Sequence, residues 1–165
     1  MKVITLDQSY ATEYRGLRLK ALQENPEAFG SSFEEESRMP LSFTEQRLNQ
    51  KESMTFGVFE EELVGIVTLT FSLRKKLKHN GHIQALYVDE TKRGKGYGKV
   101  LLKHVIEVAK SLQMINLFLM VTSTNQKAIH LYESLGFMKY GTERREIYYE
   151  GNYYDSDLMA LYFEK

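Results

Sequence analysis

Residues 86 to 102 read LYVDETKRGKGYGKVLL, and this stretch decides the fold. Its apolar start, Leu86 to Val88, is typical of a buried strand, and glycines at positions 94, 96 and 98 then form a turn. A helix with an apolar stripe follows at once, from about Gly98 to Leu112. Glycine allows close backbone approach, and a helix N-terminus exposes unpaired N–H groups with a partial positive charge. The segment therefore predicts a strand-turn-helix unit that can bind a diphosphate.

Glycine-rich turns occur in several nucleotide-binding motifs, and the residues exclude two of them. A dinucleotide fingerprint, G-x-G-x-x-G, needs glycine where Lys99 stands. A P-loop needs Ser or Thr where Val100 stands. From this segment alone, the alternative of a purely structural turn that binds no ligand is not excluded.

A second motif follows in the segment Asn125-Gln126-Lys127-Ala128-Ile129-His130-Leu131-Tyr132-Glu133-Ser134-Leu135-Gly136-Phe137, which predicts a helix ending at Gly136. Residues 93 to 98 resemble the acyl-coenzyme A signature Q/R-x-x-G-x-G/A of the GNAT N-acetyltransferase superfamily. The second motif resembles the N-x-x-A-x-x-L-Y-x-x-x-G-F helix of the same family. The resemblance implies a single domain, residues 1–165, with a mixed, mostly antiparallel α/β sheet flanked by helices on both faces.

The resemblance also implies a site for acetyl-coenzyme A as co-substrate. In the family, the amides of the glycine turn hold the pyrophosphate, and the preceding strand splays from its neighbour and pairs with the pantetheine arm. The ligand's amides would then satisfy unpaired edge groups of Leu86 and Val88. Asn125 matches a family position that meets this arm, although Asn at a helix start is also a routine N-cap. The predicted cofactor residues are Leu86, Tyr87, Val88, Arg93, Gly94, Lys95, Gly96, Tyr97, Gly98, Lys99 and Asn125.

The simplest chemistry is direct attack of a bound amine on the thioester, because the chain has no cysteine to form an acyl-enzyme. Tyr132 matches the family tyrosine that acts as general acid toward the leaving thiolate. The alternative is that Tyr132 only packs on the apolar side of an amphipathic helix. Many relatives carry a glutamate early in the strand before the turn, but ungapped counting places His82 there, with Gln84 two residues on. Histidine can accept a proton near neutral pH. His82 is therefore a candidate base. The alternative is that His82 is an exposed residue at the start of the strand with no catalytic role.

The acceptor is expected between the first two helices and the C-terminal strands, as in the family. Candidate contacts are Phe29, Ser31 and Tyr154. The acidic run Glu34 to Glu36 and the tyrosines of the last strands would suit a cation, but they could equally face solvent. The acceptor is thus predicted to be a small-molecule or peptide amine. Transfer of a longer acyl group and a catalytically silent acyl-CoA-binding domain remain alternatives.

Composition narrows the class of protein further. Lys plus Arg and Asp plus Glu number 22 each, so no large one-sign field favours binding to nucleic acid. No apolar run approaches the length of a membrane span, and the N-terminal apolar stretch is too short for a signal peptide, so we expect a cytoplasmic protein. The four histidines show no ligand spacing, and no metal is expected. A homodimer is compatible with the sequence.

Hydrophobic periodicity and helix signals predict the remaining elements. Val3 to Leu6 is predicted to form a strand, and Asp7 or Ser9 to cap a helix that ends before Pro26. A second helix is expected from about Ser42 to Gln50. Further strands are predicted at about residues 54–59, 63–71, 83–88, 115–121, 138–148 and 154–163, with a helix at 125–135.

Overall fold

The computed structural model describes residues 1–164, and Lys165, the last residue of the predicted domain, lies outside them. Seven strands form one sheet in the order β1-β2-β3-β4-β5-β7-β6, in which only the pair β4 and β5 is parallel. The strands are β1 Val3–Thr5, β2 Ser53–Phe59, β3 Leu63–Phe71, β4 Asn80–Val88, β5 Asn116–Thr122, β6 Met138–Tyr149 and β7 Asn152–Tyr162. The helices are α1 Ala11–Glu24, α2 Phe33–Ser37, α3 Leu41–Leu48, α4 Tyr97–Ser111 and α5 Gln126–Ser134.

Helices cover both faces of this sheet. On one face, Leu101 and Val105 of α4 are fully buried in a cluster that also contains Leu117 of β5. On the other face, Ala21 of α1 is fully buried in a cluster with Ile66 of β3. Burial of apolar side chains on both faces is the main stabilising contribution to such a layered fold. The predicted mixed, mostly antiparallel α/β sheet flanked by helices is confirmed.

The connection between β1 and β2 contains three helices, whereas the sequence predicts two. The additional helix, α2, has five residues and begins after Ser32, whose hydroxyl accepts a hydrogen bond from the backbone N–H of Glu35 at 3.1 Å. A helix of this length is too short to show apolar periodicity, so the sequence pattern does not reveal it. Asp7 caps a 3-10 turn, Gln8–Tyr10, ahead of α1 and does not cap α1 itself.

The parallel strands β4 and β5 separate halfway along their length. Their pairing ends where Ile83 lies opposite Leu119. Two residues further, Ala85 takes a φ of 56°, and the register of β4 against β3 shifts beside it. These are the features of a β-bulge, which bends the strand that carries it. The fold thereby opens a gap between the second half of β4 and the end of β5.

Among residues 1–164, no helix is both long enough and apolar enough to span a lipid bilayer. In the same part of the chain, no three or more His, Cys, Asp or Glu side chains are grouped so that they could hold a metal ion.

Candidate active site

The turn between β4 and α4 presents a row of backbone N–H groups. Gly94 and Gly96 have φ values of 81° and 87°, the left-handed conformation that favours glycine. Helix α4 begins at Tyr97, and its first backbone hydrogen bond runs from the N–H of Val100 to the carbonyl of Gly96 at 3.0 Å. Among the described residues, the N–H groups of residues 94–99 have no backbone partner. We call residues 93–99 the cradle.

The cradle forms one wall of a cleft of about 480 Å³. The other wall is α5, which contributes Lys127, Ala128 and Leu131. A Cβ added to Gly94 or Gly96 would meet no atom within 4 Å, so the space above the cradle is open to a ligand. Of the residues that the structure describes, three cationic side chains and no carboxylate line this cradle cleft, which favours the binding of a negatively charged diphosphate. They are Arg93, Lys99 and Lys127.

The second half of β4 offers an unpaired strand edge to the same cleft. The N–H of Asp89 donates to the carbonyl of Val64 on β3 at 2.8 Å. Because backbone groups alternate in direction along an antiparallel ladder, those of Leu86 and Val88 point away from β3, toward the gap where β5 no longer pairs. The carbonyl of Val88 accepts a hydrogen bond from Nε of Arg93 at 3.0 Å. An extended ligand rich in amides fits this edge.

Tyr87 and Arg93 connect the cradle cleft to α1. The Tyr87 ring is 4% exposed, its hydroxyl donates to Glu24 of α1, and the Arg93 guanidinium lies 5.5 Å from its centroid. Burial, reinforced by Glu24, raises the pKa of Tyr87. Asp89 pairs with Lys20 at 2.6 Å, and that contact lowers the pKa of Asp89 to about 2. The side chains around β4 and α1 therefore hold the start of the cradle in a fixed position.

Of the predicted cofactor residues, Lys95 alone is absent from the wall of the cleft. Its ammonium group pairs with Glu60 at 3.3 Å, beside Lys92, which pairs with the same carboxylate at 2.7 Å. The ion pair directs the Lys95 side chain to the turn between β2 and β3, so the predicted contact of Lys95 with the cofactor rests on its backbone N–H and stays a prediction. The other predicted residues line the cleft: Leu86, Tyr87, Val88, Arg93, Gly94, Gly96, Tyr97, Gly98, Lys99 and Asn125.

A smaller cavity of about 100 Å³ occupies the gap between β4 and β5, and we call it the splay cavity. Tyr132 of α5 lines it together with Asn125, Leu86 and Ala85. Tyr132 is 7% exposed and contacts the edge of Phe137, with 5.9 Å between ring centroids. Burial raises the pKa of the Tyr132 phenol, so it carries its proton at neutral pH. This is the protonation state that a general acid requires.

Asn125 caps α5. Its side-chain oxygen accepts a hydrogen bond from the N–H of Ala128 at 3.2 Å, which confirms the N-cap alternative. Asn125 also lines both the cradle cleft and the splay cavity. The two alternatives are thus compatible, and contact with a bound ligand stays a prediction.

A third cavity, of about 480 Å³, adjoins the splay cavity through Phe29, Ile83 and Ala85, and we call it the loop cavity. His82, the candidate base, and Ser31, a predicted acceptor contact, line it, but Tyr132 does not. The His82 ring lies 5.5 Å from that of Phe118, and the residue as a whole is exposed near the start of β4, although desolvation of the ring lowers its pKa. The two predicted catalytic side chains therefore face adjoining cavities and do not share one.

Tyr154, a predicted acceptor contact, does not line the cradle cleft, the splay cavity or the loop cavity. It lies opposite Ile147, in the outer half of the β6–β7 hairpin, beyond the irregular pairing between Glu143 and Ile147. The extra residues of this irregularity lie on β6, so the side chains of β7 keep their alternation, and contact of Tyr154 with an acceptor stays a prediction.

The acidic run divides between two environments. Glu34 and Glu35 line an outer cleft of about 600 Å³ together with Tyr148 and Tyr149. Glu36 instead accepts hydrogen bonds from Arg18 at 2.9 Å and Arg47 at 3.1 Å. Burial opposes ionisation of Glu36, but the two guanidinium groups outweigh it and hold its pKa below the usual value.

Sequence reasoning did not single out three residues that line these cavities. Ala85 carries the bulge, and nothing in its residue type indicates a positive φ. Arg18 lines the loop cavity from α1, inside an otherwise apolar stripe. Lys127 lines the cradle cleft, and its charge in the first turn of α5 was the only available signal.

Comparison with known proteins agrees with this geometry. Residues 18–137 match the model of the Acetyltransferase (GNAT) family. The chain is similar to a SPbeta prophage-derived uncharacterized N-acetyltransferase of Bacillus subtilis, with 32% identity over 123 residues, 72% of this chain and 67% of that protein. It is also similar to N-alpha-acetyltransferase 30 of Xenopus laevis, with 35% identity over 79 residues, 48% of this chain. The match spans only 29% of the Xenopus protein.

Solved structures show the same fold. The acetyltransferase of GNAT family from Streptococcus pneumoniae superposes with a TM-score of 0.86 over 99% of both chains, at 24% identity. The yncA protein of Salmonella typhimurium, solved with its cofactor acetyl-CoA, superposes with a TM-score of 0.78 over 100% of this chain and 95% of that chain, at 18% identity. Since the family model matches most of the chain and the fold agrees with it, this protein belongs to the GNAT family of acetyltransferases.

Proposed function

We propose that this chain, as one domain of residues 1–165, transfers an acetyl group from acetyl-CoA to a primary amine. The observation that carries the proposal is the junction of the cradle with the splayed edge of β4. Unpaired N–H groups of residues 94–99 face the same cleft as the free edge of Leu86 and Val88. One end of that cleft suits a diphosphate, and the strand edge suits an amide-containing arm.

The proposed reaction is direct attack within a ternary complex. Acetyl-CoA supplies an activated thioester, and the protein holds the two reactants in adjoining cavities, which removes much of the entropic barrier. Because the sequence contains no cysteine, no thiol is available to carry the acetyl group. An alkylammonium with a pKa of about 10.4 must lose a proton before attack, so a base or a neutral amine is needed.

Tyr132 is the proposed general acid. Its protonated, buried phenol lines the splay cavity, where the arm held along β4 would end. His82 is the proposed base, reached from the loop cavity, and its lowered pKa leaves the imidazole neutral and able to accept a proton at pH 7. A chain of water molecules through the loop cavity is the alternative route for that proton.

The dimensions of the splay cavity favour acetyl over longer acyl groups. Its volume of about 100 Å³ is much smaller than the roughly 480 Å³ of the loop cavity, so it suits the smaller acyl group. Leu86 and Met120 line this cavity, and Ile83 borders it at the side of the loop cavity. A longer acyl chain would extend into the loop cavity and compete there with the acceptor.

The test is release of free coenzyme A from acetyl-CoA in the presence of amino acids, peptides with free N-termini, and polyamines. We expect release that depends on both the amine and the protein, and faster turnover with acetyl-CoA than with hexanoyl-CoA. Binding of acetyl-CoA without release for any amine would favour the silent-domain alternative. Equal rates for the two acyl donors would refute the argument from cavity size.

A further inference from the structure

Arg18 is a buried cation on the wall of the loop cavity. The residue is 8% exposed, and it lies on α1 beside the connection that contains Phe29 and Ser31. Its Nε and one terminal nitrogen donate to Glu36 at 3.3 and 2.9 Å. The guanidinium carbon lies 5.0 Å from the centroid of the Phe29 ring. The orientation of the guanidinium is therefore fixed by an ion pair and an aromatic ring.

The charge of this cluster is not balanced. Glu36 is shared between Arg18 and Arg47, so two guanidinium groups face one carboxylate. No carboxylate of residues 1–164 lines the loop cavity, and the polar side chains that line it are neutral donors or can act as donors. These are Ser31, His82, Gln84 and Tyr140. The wall of the cavity therefore complements an oxygen atom that carries negative charge or a carbonyl dipole.

One donor of Arg18 is also unsatisfied. Its second terminal nitrogen, Nη1, is shielded from solvent and has no hydrogen-bond partner among the described residues. Leaving a buried donor unpaired costs about 1–3 kcal/mol, more for a charged group, and such atoms are rare in native proteins. Phe29, which lies over the guanidinium, belongs to the irregular connection between α1 and α2. That segment can yield when a ligand enters, because connections are more mobile than the elements they join.

We propose that Arg18 binds a carbonyl or carboxylate oxygen of the acceptor, next to the amine that is acetylated. The inference rests on the proposed function and specifies its substrate class. The loop cavity adjoins the splay cavity, so an acceptor whose amine reaches the splay cavity places its neighbouring atoms beside Arg18. An α-amino carbonyl unit has an oxygen three bonds from its nitrogen. The acceptor is thus a free amino acid or the N-terminal residue of a peptide, and a polyamine lacks the required group.

The first experiment compares acceptors that keep or lose the first peptide bond, with rates corrected for the higher amine pKa of the analogue that lacks the carbonyl. A tripeptide with a free N-terminus is compared with its analogue in which a trans-alkene replaces the first peptide bond, and with the corresponding free amino acid. We expect kcat/KM for the deprotonated amine to fall about 10- to 150-fold for the alkene analogue, the range for a hydrogen bond to a charged group. A higher rate with the peptide would indicate that Arg18 binds a carbonyl oxygen, and a higher rate with the free amino acid would indicate a carboxylate. Equal rates for peptide and alkene, or a preference for spermidine, would overturn the proposal.

The second experiment separates oxygen binding from a structural role. Arg18→Lys keeps the charge but loses the planar fork, whereas the control Arg47→Lys makes the same change at the other partner of Glu36, away from the loop cavity. We expect only Arg18→Lys to raise KM for the peptide about tenfold or more, with kcat and the KM for the alkene analogue hardly changed. Equal effects of both variants would assign Arg18 to folding of α2.

A binding measurement keeps the proposal testable if turnover is absent. Calorimetric titration of the same tripeptide into protein saturated with coenzyme A requires no chemistry. Weaker binding to Arg18→Lys than to Arg47→Lys supports the proposal, and equal binding overturns it. Absence of turnover with intact peptide binding would count against the proposed transferase reaction alone.

Discussion

Replacement of Gly96 by valine should separate the binding of coenzyme A from folding. Gly96 has a φ of 87°, where a side chain with a Cβ is strained by about 1–2 kcal/mol. This strain should lower Tm by about 2–8 °C in a chain of this length. An added Cβ would meet no protein atom within 4 Å, so the valine side chain projects into the open space of the cradle. There it would block the approach of a diphosphate.

The expected loss of affinity for coenzyme A in Gly96→Val follows from the hydrogen bonds between the cradle and the diphosphate that the valine would prevent. Losing one N–H bond to a charged phosphate costs about 1.5–3 kcal/mol, which weakens Kd about 10- to 150-fold. Gly151, in the turn between β6 and β7, provides a matched control, because it has a φ of 81° and equally open surroundings. Gly151→Val should lower Tm to a similar degree and leave Kd unchanged. Calorimetry with coenzyme A measures Kd, and an unchanged Kd for Gly96→Val would show that the phosphate site lies elsewhere.

Three further predictions concern protonation. Tyr132→Phe removes the proposed general acid and keeps the aromatic ring. Single-turnover acetyl transfer should therefore slow about 10²- to 10⁴-fold, while the affinity for coenzyme A measured by calorimetry stays constant. An unchanged transfer rate would show that Tyr132 only packs in the core. His82→Gln should abolish the fall of kcat/KM at low pH. In the parent protein this fall lies below pH 6.5, because desolvation lowers the pKa of His82. An identical pH dependence in both proteins would show that another group is the base. Asp89 has a pKa of about 2 when folded against 3.8 ordinarily, so its stabilising effect exists above pH 3.8 and is lost as pH falls toward 2. Asp89→Asn should therefore have a lower Tm at pH 7 and a flatter decline of Tm over that interval, and parallel Tm curves would contradict the assignment.

Much of the fold could be predicted from local patterns. The glycines at 94, 96 and 98 predict the turn before α4, since left-handed backbone and close ligand approach require residues without a Cβ. Gly136 marks the end of α5 for a similar reason, with a φ of 98°. Apolar periodicity located the long strands and helices to within a few residues. These features are local, so the residues themselves determine them.

The tertiary structure decided what those elements bring together. Ala85 takes its positive φ at the point where β4 stays paired with β3 but no longer pairs with β5, and its residue type does not reveal this. Glu36 cannot be distinguished from Glu34 and Glu35 until α1 and α3 place Arg18 and Arg47 beside it. The sequence alone determined the cradle, because its conformation depends on neighbouring residues. The splay cavity and the surroundings of Arg18 depended on the tertiary structure, because side chains distant in sequence form them.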